Sequence, residues 1–218
     1  MSLTCDLFES AGASTGKLQL APGAMLLRRF AAARDVALLE AVNTITQLAP
    51  LRHLITPGGL RMSVAMTNCG PLGWVSDRRG YRYTHEDPLS GRAWPPLPEV
   101  FLALAQEAAL AAGFQAFQPS ACLINSYVPG ARLSLHQDKD ELDLGAPIVS
   151  VSLGITATFL LGGLARTDRV QPVVVQHGDV VVWGGPARLR YHGVRPLADG
   201  EHALLGRRRI NLTFRKAR

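Results

Sequence analysis

Two apolar periodicities divide the chain. Between residues 34 and 48, Leu38, Val42 and Ile45, with Ala49 beyond, fall along one helical stripe. Phe101, Leu104, Ala105, Ala108 and Ala112 form a second stripe after Pro95-Pro96-Leu97-Pro98. Pro98 suits the first turn of that helix and Gly113 its stop. From Cys122 onward the pattern changes to short, β-branched or alternating runs punctuated by glycine and proline. These predict strands over 147–153, 156–161, 170–176, 179–183, 188–192 and 209–215. Helices first and strands later predict an α+β chain, mainly β, with a sandwich or jelly roll, and argue against a βαβ nucleotide fold. Residues 54–94 mix glycine, proline, aromatics and arginines without a clean period, and are read as short strands and loops of a surface lobe. Residues 1–20, short of large apolar side chains between Phe8 and Leu18, are expected to be weakly ordered. A single domain over 21–218, with its β core in 122–218, accounts for the rest.

Composition narrows the class. The apolar and charged fractions are those of a folded globular chain, and no apolar run is long enough to span a bilayer. No basic start followed by an apolar run marks an export signal, so cytoplasmic residence is expected. Cys5, Cys69 and Cys122 are odd in number and scattered, which speaks against a disulfide framework or a structural zinc site. A net charge of +6 and a pI near 9.7 are compatible with a polyanionic partner, though many basic proteins have none.

The candidate chemistry centres on His136-Gln137-Asp138. On a strand, a one-residue gap puts both side chains on one face, where they can reach one metal. A distant His192 would complete two imidazoles and a carboxylate, a set that leaves one face of an octahedral Fe(II) open. Each part has an ordinary alternative. A short polar pair arises by chance, and His192 alone reads as a partly buried histidine. A second pair, His177-Gly178-Asp179, fits a turn capped by aspartate. The segment 209–215 segregates as a strand, with Ile210, Leu212 and Phe214 on one face and Arg209, Asn211, Thr213 and Arg215 on the other. Two arginines pointing into a β wall need an anion, and a dicarboxylate fits. An exposed edge strand decorated with arginines is the equal alternative. Gly12-Ala13-Ser14-Thr15-Gly16-Lys17 is one residue short of a phosphate loop and follows no predicted strand.

Taken together, His136-x-Asp138, His192 and the Arg209/Arg215 strand resemble the Fe(II)- and 2-oxoglutarate-dependent dioxygenases. Within them the chain resembles the bacterial AlkB family of oxidative DNA-dealkylating enzymes. The likeness runs from about Leu20 to Arg215. It includes Thr56-Pro57-Gly58-Gly59, the run 62–70, Ala121-Cys122-Leu123-Ile124-Asn125, the run 133–140, Gly178-Asp179 with 180–185, and Asn211-Leu212-Thr213-Phe214-Arg215. Departures are Ser126 where the best-known member has arginine, Ile210 where it has an aromatic residue, and Leu161 where it has phenylalanine.

The resemblance implies a double-stranded β-helix (jelly roll) with N-terminal helices and a nucleotide-recognition lid over 54–94. His136, Asp138 and His192 would hold Fe(II). Asn125, Ser126, Tyr127, Arg209, Asn211, Thr213 and Arg215 would bind 2-oxoglutarate, with Arg209 on its distal carboxylate. O2 would be consumed with 2-oxoglutarate, leaving succinate and CO2, while a base N-methyl group is lost as formaldehyde. The partner implied is alkylated single- or double-stranded DNA, with RNA as a second candidate and no obligate protein partner; a monomer is the default. Met66, Trp74, Tyr81, Arg82, Tyr83, Arg132, Ser134, Asp140 and Arg166 would contact the substrate. Trp74, Tyr81 and His136 would sandwich a flipped base. The aromatic–arginine run 74–83 suits stacking and phosphate pairing, although an ordinary loop with Trp74 plugging the core is the alternative. Asp140, with Glu141, would favour the positive charge of N1-methyladenine or N3-methylcytosine; a solvated acidic turn is the alternative. Rival functions are a 2-oxoglutarate oxygenase acting on RNA or protein, a metal-free nucleic-acid-binding jelly roll, and a zinc-dependent hydrolase, which leaves the paired arginines unexplained.

Overall fold

The computed structural model describes residues 16–218. Cys5 and residues 12–15 of the Gly12–Lys17 run lie outside them. Two α-helices are described, α1 (Asp35–Leu48) and α2 (Glu99–Ala111). Their buried residues are largely the predicted stripes: Leu38, Val42 and Ile45 in α1, and Phe101, Leu104, Ala105, Ala108 and Ala109 in α2. Pro98 caps α2 rather than sitting in its first turn, with extended backbone (φ −61°, ψ 146°) that its ring permits. Gly113 follows the helix at φ 92°, a left-handed conformation that suits glycine as the stop.

The strands among the described residues are β1 (Lys17–Ala21), β2 (Ala24–Leu27), β3 (Arg52–Ile55), β4 (Arg61–Cys69), β5 (Gly73–Asp77), β6 (Gly80–Thr84), β7 (Ala121–Tyr127), β8 (Leu133–His136), β9 (Ile148–Gly154), β10 (Ala157–Leu161), β11 (Gln171–Val175), β12 (Val180–Trp183), β13 (His192–Val194) and β14 (Arg209–Arg215). An eight-stranded sheet runs β1-β2-β12-β9-β14-β7-β4-β3, a four-stranded sheet runs β11-β10-β13-β8, and β5-β6 form a separate hairpin.

The large sheet is covered on both sides. Ile124, Val149, Val151, Ile210, Leu212 and Phe214 pack beneath the two helices, with Phe214 edge-to-face on Phe101. On the other side Leu123, Tyr127, Ile148, Val181 and Trp183 meet Phe159, Leu161, Val173 and Val175 of the small sheet. Two sheets closing on one interior make the jelly roll. Removing an aromatic as buried as Phe214 costs about 3–5 kcal/mol.

Three expectations need correction. Within 1–20, residues 17–20 are strand: β1 pairs with β2 at the sheet edge, where backbone hydrogen bonds rather than large apolar side chains order it. The stretch 54–94 is not one lobe, because β4 is built into the large sheet beside β7 and only the β5–β6 hairpin stands apart. The predicted strand 188–192 is instead a turn following a short 3-10 helix, and His192 opens β13 rather than ending a strand. Pro186 within Gly184-Gly185-Pro186 favours that turn.

Candidate metal and co-substrate site

β8 and β13 are antiparallel neighbours, and their register sets His136 opposite His192. Asp138 lies two residues past the end of β8, so strand alternation does not aim it; its anchors do. Arg188 Nη1 donates to the Asp138 carbonyl at 2.6 Å, and Arg215 Nε and Nη2 donate to Asp138 Oδ2 at 2.8 and 2.7 Å. The result is a cluster whose three potential ligand atoms lie within 4.8 Å of one another. His136 Nε2 is 3.7 Å from Asp138 Oδ1, and His192 Nε2 is 3.6 Å from Asp138 Oδ2.

The ring nitrogens facing away are occupied. His136 Nδ1 lies 2.8 Å from the Ser134 carbonyl and His192 Nδ1 lies 3.1 Å from the Arg190 carbonyl. A carbonyl accepts, so each Nδ1 carries the proton and each Nε2 lone pair turns toward Asp138. Burial, then the neighbouring His192, push the His136 imidazole down to about 4, which keeps it neutral and able to ligate. Burial works to raise the Asp138 carboxyl, but Arg215 and the two imidazoles hold it well below the usual carboxylate range. Two neutral nitrogens and one carboxylate fit a divalent metal.

The wall beside this cluster is β14, which lies between β9 and β7 and is buried along its whole length. The edge-strand alternative for its arginines is thereby excluded. Arg209, 2% exposed, spends Nη2 on Ser152 Oγ at 2.9 Å and lies over the Tyr127 ring at 4.8 Å. Its Nε and Nη1, the Tyr127 hydroxyl and Asn125 Oδ1 have no partner among the described residues. Burying a guanidinium with idle N–H groups is costly, and burial itself lowers its pKa. Orphaned donors fixed on a rigid wall fit a carboxylate ligand.

The other wall residues differ. Asn211 binds Ser150 Oγ and the Val151 carbonyl, and Thr213 binds Asn211 Oδ1, so both are tied within the wall. Arg215, expected on a co-substrate carboxylate, pairs through Nε and Nη2 with Asp138, the nearest buried anion. Ser126 is a correction: it pairs in register with Ile210, not with Arg209 or Asn211, so alternation turns it to the helix side of the sheet. Asn125 and Tyr127, opposite Asn211 and Arg209, face the interior, as does Met66, which pairs with Asn125.

The hairpin flanks the cluster. Asn68 clamps both backbone polar groups of Trp74, and Ser76 Oγ donates to the Ile55 carbonyl. Trp74 Nε1 donates to Asp140 Oδ2 at 2.9 Å, and Tyr83 OH donates to Glu141 Oε1 at 2.5 Å. Trp74 and Tyr81 stack on each other, centroids 5.5 Å apart and 13° between planes, which leaves no space for a base between them. The His136 ring neighbours that of His192 at 4.4 Å. Arg82 is committed to Asp77 through two bonds. Arg166 donates to the Leu135 carbonyl and lies over Tyr191, while Arg132, just before β8, and Ser134, within it, are exposed. Glu141 is buried on Tyr83, Arg188 and Arg215, so it is not open to a base, whereas Asp140 is exposed.

The second pair has other work. Asp179 accepts from the Arg29 and Gln176 backbone N–H groups and pairs with Arg28, and His177 bonds Asp35. Cys69 and Cys122 are free and buried in register across β4 and β7. Sequence reasoning missed Arg188, Ser152 and Trp183, whose ring lies 4.8 Å from that of His192. An arginine in a turn and a serine in an apolar strand carry no local pattern that marks them. No described helix is long and apolar enough to cross a membrane.

The family model for the 2OG-Fe(II) oxygenase superfamily matches residues 23–215. The alpha-ketoglutarate-dependent dioxygenase AlkB of Salmonella typhimurium is 57% identical over 198 residues, 91% of this chain and 92% of that protein. The protein of the same name from Escherichia coli is 55% identical over 212 residues, 97% of each. The solved structure of OsALKBH1 superposes with a TM-score of 0.82 at 30% identity, covering 92% of this chain and all of that one.

Proposed function

The chain belongs to the 2OG-Fe(II) oxygenase superfamily, and from that premise we propose that it removes alkyl groups from nucleic-acid bases by oxidation. It is an Fe(II)- and 2-oxoglutarate-dependent dioxygenase of the AlkB type. The cofactor set is Fe(II), 2-oxoglutarate and O2. The observation that carries the reading is the buried Arg209 with two idle N–H groups beside the His136/Asp138/His192 cluster.

In this reading His136 and His192 would hold the metal through Nε2 and Asp138 through its carboxylate. When bound, iron and 2-oxoglutarate supply the oxidising power of O2, the co-substrate leaving as succinate and CO2. Arg209 holds the far carboxylate of 2-oxoglutarate, with the Tyr127 hydroxyl and Asn125 adding hydrogen bonds. The apolar interior of Leu161, Trp183 and Phe159 excludes bulk water. Arg215 holds Asp138 and orients its free oxygen. Trp74 offers one stacking face once Tyr81 parts from it, and Tyr81, Arg132, Ser134 and Arg166 meet the strand. Exposed Asp140 attracts the positive charge that N1-methyladenine and N3-methylcytosine carry and undamaged bases lack. Hydroxylation of the N-methyl group then releases formaldehyde and the repaired base. DNA, single- or double-stranded, is the proposed polymer with RNA second; the protein acts as a cytoplasmic monomer in direct-reversal repair.

Incubation with Fe(II), 2-oxoglutarate, O2 and an oligonucleotide containing N1-methyladenine tests this. Formaldehyde and succinate are expected in equal amounts. No formaldehyde from any methylated DNA or RNA contradicts dealkylation.

A further inference from the structure

We propose that Glu141 is a positioning residue that couples the seating of the β5–β6 hairpin to the geometry of Asp138. The inference rests on the metal-site and base-surface readings above and adds the link between them. Glu141 is 5% exposed, and its carboxylate is fully engaged. Oε1 accepts the Tyr83 hydroxyl at 2.5 Å and lies 3.4 Å from Arg215 Nε; Oε2 accepts Arg188 Nη2 at 3.0 Å. Both arginines continue to the metal ligand. Arg188 Nη1 holds the Asp138 carbonyl, and its Nε holds the Ala146 carbonyl at 3.1 Å. Arg215 holds the Asp138 carboxylate. The main chain and the side chain of Asp138 are therefore each gripped by a guanidinium that Glu141 in turn grips.

The other hairpin bond in this area, Trp74 to Asp140, ends on an exposed carboxylate and goes no further among the described hydrogen bonds. Two arginines and two carboxylates in one buried cluster balance in charge, so displacing one member disturbs the others. A cation that fixes Asp138 fixes Arg188 and Arg215, hence Glu141, hence the acceptor on which Tyr83 docks. By linkage, a nucleic acid that seats the hairpin tightens the metal site by the same factor. The oxidising site is thus completed when a base is in place.

The test uses Mn(II) alone, which reports binding without turnover, and hydrogen exchange of the amides of residues 73–84. In the unaltered protein Mn(II) is expected to slow that exchange about fivefold or more. Tyr83→Phe, which deletes only the hydroxyl, and Glu141→Gln are expected to bring Mn(II)-dependent slowing close to none. Trp74→Phe, which cuts the Asp140 bond instead, retains it. Should Glu141→Gln fail to fold, Tyr83→Phe on the hairpin carries the test. Mn(II) that binds the unaltered protein without slowing exchange, or slows it equally in Tyr83→Phe, overturns the coupling while leaving the metal site intact. Absence of Mn(II) binding overturns the metal-site reading and the coupling with it.

Discussion

The β14 wall and the β5–β6 hairpin flank the same aspartate, yet they are held in opposite ways. β14 is paired on both sides, buried on both faces, and its interior side chains are fixed by β9 and β7. Among the described residues the hairpin strands pair only with each other, and the hairpin meets the body through side chains: Val75 packs on Ala49 and Trp94, and Asn68, Ser76, Trp74, Tyr83 and Trp94 supply hydrogen bonds. The group proposed to hold 2-oxoglutarate sits on the rigid element, where preorganised donors bind without reorganising. The surface proposed to meet a flipped base sits on the hairpin, which lacks the two-sided strand pairing of the wall. The contrast can be broken from either side.

The largest effect is expected at the junction. Asp138→Ala removes a proposed ligand and leaves Arg215 only Glu141 for a partner, so formaldehyde formation should fall by more than ~100-fold, beyond what loss of a merely orienting group gives. Activity surviving that change would remove the metal role. Next is the wall. Arg209→Met should raise the KM for 2-oxoglutarate about 100-fold or more, the scale of losing one member of a buried charge pair. The same change should raise the melting temperature of the ligand-free protein, because a buried guanidinium with idle donors is a cost until an anion arrives. A lower melting temperature would mean that Arg209 is structural.

On the hairpin side the effects are smaller and selective. Asp140→Ala should cost about tenfold on a cationic alkylated base and little on a neutral one, with the difference shrinking as salt is added, since Asp140 is exposed. Equal loss on both bases would end the charge-selection idea. Least is expected of Asp77→Asn, which weakens the half-buried Arg82 fork: the melting temperature should move little, and only oligonucleotide affinity should weaken modestly.

The same contrast explains what could be read from the residues alone. The two helices and β14 were legible because their patterns report burial directly, and in β14 the alternation also separated Arg209 from Ile210 correctly. His136 and His192 were legible as residue types, but their meeting depends on β8–β13 register, which no local pattern encodes. Asp138 reaches the cluster from a loop held by Arg188 and Arg215, so strand alternation gave the right residue for the wrong geometric reason. Ser126 shows the limit of resemblance: adjacent to two interior residues, it faces the helices because each step along a strand reverses the side chain. The hairpin's contacts with Asp140 and Glu141 span more than fifty residues and leave no periodic trace.

The most direct test of the division of labour compares two Michaelis constants in two variants. The KM for 2-oxoglutarate and the KM for an N1-methyladenine oligonucleotide are measured side by side in Arg209→Met and Trp74→Ala. The wall-and-hairpin account predicts that Arg209→Met raises only the first and Trp74→Ala only the second. Either variant raising both constants by the same factor would contradict it.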